Sequence, residues 1–201
     1  MAASNAQNDA TLDNFLKVLN DPTSAQYQDL NYLMQQVFSP GGNPTIPACG
    51  ITDHGPQFIG QAAVRKLFQT IFTAFPDFRS SPVVANGVPS KRMYSNDQTM
   101  IALQTTITGT QQGLWFQDKV GPGGHPGHYS PPISDIQPDG THKMDLPVAN
   151  VMTFDDNGKI VQLSMYFDRY RMKTQLFTGV TPPQATIFSN VVQDAISKPK
   201  K

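Results

Sequence analysis

The sequence predicts an α+β fold, with helices first and an antiparallel sheet after them. Two observations carry that prediction. Up to Pro76, apolar residues recur at helical spacing, as in Val64, Leu67, Phe68, Ile71, Phe72 and Phe75. From residue 79 to 168 the apolar period falls to two, and Asn157-Gly158 supplies a tight hairpin turn between the last two runs. Helices followed by a run of strands place the helices on one face of the sheet. An antiparallel sheet wrapped around one long helix leaves a cone open at one end, the kind of concavity in which small ligands bind.

Taken in order, residues 1–10 read as a flexible polar leader. A helix then starts at Thr11, carried by Leu12, Phe15, Leu16 and Leu19 and stopped by Asp21-Pro22. A second helix is expected from about Ser24 to Phe38, followed by the breaker Ser39-Pro40-Gly41-Gly42. Residues 45–54 read as a short strand that ends in Asp53-His54, after which Gly55-Pro56 breaks the chain. The third helix, between Gly60 and Pro76, has the clearest apolar stripe. Strands are expected at 79–87, 90–95, 98–109, 113–118, 144–154 and 160–168. The Gly/Pro-rich run 119–142 reads as a long loop insertion, of the kind that is usually a functional lid or disordered. The domain therefore spans 11–178, and 179–201 forms a C-terminal extension with a short amphipathic helix at 184–196.

Composition narrows the function. The chain has 201 residues, 15 basic and 15 acidic, with no basic stripe, which argues against charge-driven binding to nucleic acid or acidic lipid. No apolar run approaches the ~18 residues of a membrane span. The start shows no signal peptide, although it would also suit the trimmed remnant of one, so the sequence leaves the compartment open, with a slight lean to the cytoplasm. A single cysteine, Cys49, excludes an intrachain disulfide and a multi-cysteine zinc site, and it reads as a half-buried structural thiol. His125, His128 and His142 lie in or beside the long loop without a carboxylate at ligand spacing, so neither a metal nor a cofactor is expected.

Two stretches resemble a known family. Residues 53–78, with His54 at a strand end, Gly60 opening a helix and Phe75-Pro76-Asp77 closing it, resemble the SnoaL-like polyketide cyclase branch of the nuclear transport factor 2-like superfamily. Residues 155–177 look like that family's final hairpin: Gly158-Lys159-Ile160, then Asp168, then Gln175-Leu176. Between them, Gly109-Thr110-Gln111-Gln112-Gly113 looks like the family's Gly-Thr-His-x-Gly, with Gln111 standing where the family often has His. The resemblance implies the cone-shaped, cystatin-like fold inferred above and a cofactor-free reaction on a hydrophobic carbonyl compound, such as an aldol-type cyclisation or an isomerisation.

The candidate site residues follow. Strict alternation along 160–168 puts Ile160, Gln162, Ser164, Tyr166 and Asp168 on one face, and the resemblance aims that face into the cone. Similar proteins use this Asp as a general acid/base, because a carboxyl in an apolar pocket is hard to ionise. The competing reading has Asp168 capping the next segment or pairing with Arg169 or Arg171. The resemblance favours His54 as a second proton group, while steroid isomerases of the wider superfamily favour an Asp near Asp53. Structurally, Asp53 would form a turn and His54 would pack as a core imidazole. Gln111 would hold a ligand carbonyl, Tyr166 would donate to a developing oxyanion, and Trp115 would wall the pocket. The opposite face of the last strand, with Val161, Leu163, Met165 and Phe167, would lie outside the cone. An apolar patch there needs cover, from a second subunit in a homodimer or from the C-terminal helix. Two functions stay open: the enzyme just described, and a non-catalytic module that binds a small ligand or dimerises through the same fold.

Overall fold

The computed structural model describes residues 5–41, 50–52, 58–85, 88–113, 142–168, 171–172 and 175–176. Asp53, His54, Cys49, Trp115, the loop 119–141 and the C-terminal helix lie outside them. Helix α1 spans Asn5–Asn20, so it starts well before Thr11. Its polar first turns hid it from a periodicity reading. Asn8 is fully buried there, and its side-chain amide donates to the Gln98 carbonyl at 2.8 Å.

The expected second helix is broken. Gln28 takes a φ of +57° and donates its backbone N–H to the Val18 carbonyl, so residues 22–28 fold as turns against α1. The short helix α2, Leu30–Tyr32, starts only at Asp29, whose carboxylate caps the N–H groups of Asn31 and Tyr32. It widens into a π-helical turn at Leu33–Val37 that brings Leu33, Met34 and Val37 into the core. Helix α3, Gln61–Ala74, matches its expected span, and Gly60 opens it at a φ of +83°.

The strands are β1 (Gly50–Thr52), β2 (Phe58–Ile59), β3 (Arg79–Pro82), β4 (Val84–Ala85), β5 (Val88–Pro89), β6 (Met93–Tyr94), β7 (Met100–Thr110), β8 (Lys143–Phe154) and β9 (Ile160–Phe167). Seven of them form one sheet in the order β2-β1-β9-β8-β7-β3, with β6 also on β7. Every pairing is antiparallel except β1 with β9, while β4 and β5 form a separate hairpin. One sheet face joins α1, the π turn and α3 in a single apolar core that holds Phe15, Phe38 and Phe68 with ring centroids 6.1 Å apart pairwise.

The facing of β9 is the reverse of the expected one. Phe154 pairs with Ile160 and Thr153 with Gln162, which leaves Val161 as an extra residue in a β-bulge. Ile160 is buried in the core, and past the bulge the odd-numbered residues face inward: Leu163 is buried there, with Met165 and Phe167 packed against the same cluster. Tyr166 lies on the other face with Ala102, Ala149 and Val151. Leu163, Met165 and Phe167, most of the apolar patch that suggested a homodimer through the outer face, therefore face the core and give no reason for a second subunit.

Candidate functional site

Phe15 and Leu19 of α1, Leu67, Phe68 and Ile71 of α3, Phe58 of β2, and inward residues of β7, β8 and β9 enclose a hollow of about 60 Å³. Its walls are Phe, Leu, Ile and Met, the last being Met144, Met165 and Met172. The polar side chains in the lining are Ser80 and Asn150, and no described lining residue carries an ionisable group. Both sit where alternation dictates. Asn150 follows Met144, Leu146 and Val148 on the even, inward side of β8, and Ser80 pairs with inward Ile107 across β3–β7. Thr105 joins them: Asn150 Nδ2 donates to Thr105 Oγ1 at 2.9 Å, and the Ser80 and Thr105 hydroxyls lie 3.1 Å apart. All three are almost completely buried, so an apolar hollow contains one small, internally bonded polar island.

Of the expected residues, Asp168, Gln111 and Tyr166 lie elsewhere. Asp168 follows the end of β9. Its carboxylate accepts the Arg171 N–H at 3.0 Å and its carbonyl accepts the Met172 N–H at 3.1 Å, a helix-capping geometry, and it does not line the hollow. Gln111 is 1% exposed; its Nε2 donates to the Gly113 carbonyl, while its Oε1 is buried without a hydrogen-bond partner among the described residues. It too stands away from the lining, as does Tyr166 on the opposite sheet face. Among the described residues, no group of three or more His, Cys, Asp or Glu side chains is placed to hold a metal ion. No helix among them is long and apolar enough to cross a membrane.

Solved structures with the same architecture are many. One from Jannaschia sp. CCS1, described as a SnoaL-like polyketide cyclase, aligns at a TM-score of 0.58 with 16% identity, over 89% of this chain and 94% of its own. Another from Xanthomonas campestris pv. campestris, described as a polyketide cyclase, aligns at 0.58 with 14% identity, over 86% and 99%. The fold is SnoaL-like. A third, described as an LEH-like epoxide hydrolase from M. tuberculosis, aligns at 0.53 with 13% identity, over 89% and 91%. No protein-family model and no curated protein matches the chain.

Within this SnoaL-like cone, the arrangement can exclude water, enclose a compact apolar group and offer it one hydrogen-bonding contact. Asn150 and Ser80 escaped the sequence reading, although a signal existed. In "KMDLPVANVMTF" the even-numbered positions are apolar apart from Asn150, a lone amide in the middle of a buried stripe. A buried polar residue on an inward strand face is the informative exception in such a pattern.

Proposed function

We propose that the protein binds a small, mainly apolar compound within its cone. The observation that carries this reading is the hollow itself, apolar on nearly all sides with a single polar island in its wall, which is the usual make-up of a small-molecule site. Its volume of about 60 Å³ is below the ~150 Å³ that admits benzene in an engineered cavity. A ring-sized ligand therefore enters by displacing methionine side chains, whose unbranched thioethers repack easily. The test is a titration of methyl-labelled protein with methylcyclohexane. Resonances of Met144, Met165 and Met172 should shift, while those of Met93 and Met100, on the opposite sheet face, should not. Leu67→Trp, which fills the hollow, should abolish the shifts. Equal shifts on both faces, or none at all, would count against the site.

A second reading adds turnover in the same cone, as a cofactor-free cyclisation or isomerisation of a hydrophobic carbonyl compound. The names of fold neighbours, polyketide cyclases and an epoxide hydrolase, favour it. Asp168 would serve as acid/base and His54 as a second proton group, with Gln111, Tyr166, Trp115 and Asp53 contacting the substrate. For this, Asp168 must release the Arg171 N–H and reach the ligand. Asp168→Asn retains the cap, so it should remove turnover and leave the melting temperature nearly unchanged; unchanged turnover would take Asp168 out of the chemistry.

A further inference from the structure

We infer that Asn150 sets the polarity of the ligand, and that the cone selects a compound carrying a hydrogen-bond donor, an alcohol or enol hydroxyl, over one that offers only a carbonyl. This rests on the proposal that the cone binds a small apolar compound. The argument starts from how the amide is held. Asn150 is 5% exposed in the middle of β8, with one N–H of its Nδ2 donated to Thr105 Oγ1 at 2.9 Å. Thr105 is itself tied to Ser80 across 3.1 Å, so three side chains on three adjacent strands fix the direction of the amide. With its nitrogen side turned to Thr105, the amide presents its oxygen away from that bond.

No described residue donates to Asn150 Oδ1. Nor is that oxygen among the sealed polar atoms that lack a partner, such as Asn8 Oδ1 and Gln111 Oε1. It therefore keeps contact with open space, and the open space beside Asn150 is the hollow. Around it the walls are Phe, Ile, Leu and Met, none of which can donate, and Ser80, whose hydroxyl is already given to Thr105. An acceptor left in such surroundings is satisfied by water or by a ligand donor. A hydroxyl on the ligand replaces that water bond for bond. A ketone can at best accept the second Nδ2 N–H and leaves Oδ1 unpaired, and a site built to bond a hydroxyl rejects analogues lacking it more strongly than a purely apolar site does.

The experiment compares methylcyclohexane, cyclohexanone and cyclohexanol on the full chain by the same methyl-resonance titration. Cyclohexanol should bind about tenfold tighter than cyclohexanone, the worth of one neutral hydrogen bond. Asn150→Leu should equalise the two, with methylcyclohexane as the reference ligand for each protein. Thr105→Val, which frees the amide to rotate, should shrink the preference and serves if the first variant does not fold. Cyclohexanone binding as tightly as cyclohexanol, or a preference that survives both substitutions, would overturn the assignment while methylcyclohexane binding kept the cone as a site. If none of the three compounds binds, the cone reading fails and takes this inference with it.

Discussion

Asp77 takes both hydrogen-bond donors of Thr110, the backbone N–H at 2.6 Å and the hydroxyl at 2.8 Å. This pins the turn after α3 to the end of β7. Beside it Phe75 packs over Gly109, where an added Cβ would come within 3.1 Å of the Phe75 side chain. Two motifs that are 33 residues apart in sequence thus form one joint. Asp77→Ala should destabilise the fold by about 1–2 kcal/mol, and Thr110→Val, which keeps the N–H bond, by about half that. A double-mutant cycle in urea checks it: fully additive effects would mean that the joint contributes nothing.

Thr105 is the hub of the buried polar island. Thr105→Val strands the Asn150 N–H and the Ser80 hydroxyl, and should cost about 1–3 kcal/mol. Ser80→Ala removes a donor along with its need for a partner and should cost less. Denaturant midpoints in the reverse order would contradict the network.

Capping by Asp168 has its own signature. Asp168→Ala should cost about 1 kcal/mol, and Asp168→Asn only a fraction of that, since Asn caps nearly as well. Thermal melts of the two variants compare them directly. Equal losses would mean that the contact with Arg171 is not what Asp168 supplies.

The bulge at Val161 makes a prediction about deletions. Removing Val161 restores one-for-one pairing between Phe154–Thr153 and Ile160–Gln162 and keeps Leu163, Met165 and Phe167 inward. Removing Ser164 instead turns either the residues before it or those after it to the wrong face. Circular dichroism should show the first variant folded and the second unfolded.

At the surface, Asp21 accepts the hydroxyl of Thr23 at 2.6 Å and its N–H at 3.0 Å, and these bonds hold its carboxyl below the usual range. Its contribution is present above the carboxyl's unfolded value and is lost as pH falls through the lowered folded value. Thr23→Val should move the Asp21 titration upward, as read by carboxyl NMR. An unmoved curve would show that the hydroxyl bond has no effect.

The fold was legible because the motifs that reveal it also build it. Phe75-Pro76-Asp77 locks onto Gly109-Thr110, Gly158 forms the last hairpin at a φ of +71°, and fully buried Gln175 bonds both the N–H and the carbonyl of Asp145. The same closeness misled the site reading. A bulge leaves no mark in local composition, so alternation from Ile160, with its Asp168 face aimed inward by the resemblance, assigned Tyr166 and Asp168 to the cone and Met165 and Phe167 to the exterior. Pairing with β8, which sequence does not display, decides the facing. Ser80 looks ordinary alone, and Asn150, although conspicuous in its apolar stripe, does not name its partners; only register brings them to a common neighbour.

The three thioethers in the wall of the hollow give the protein a chemical clock. Met144 and Met172 are almost wholly shielded, so peroxide reaches their sulfur atoms only when the cone parts. Each sulfoxide then leaves a polar, chiral group in a greasy wall. The rate at which they oxidise counts openings, and any occupant of the cone should slow it.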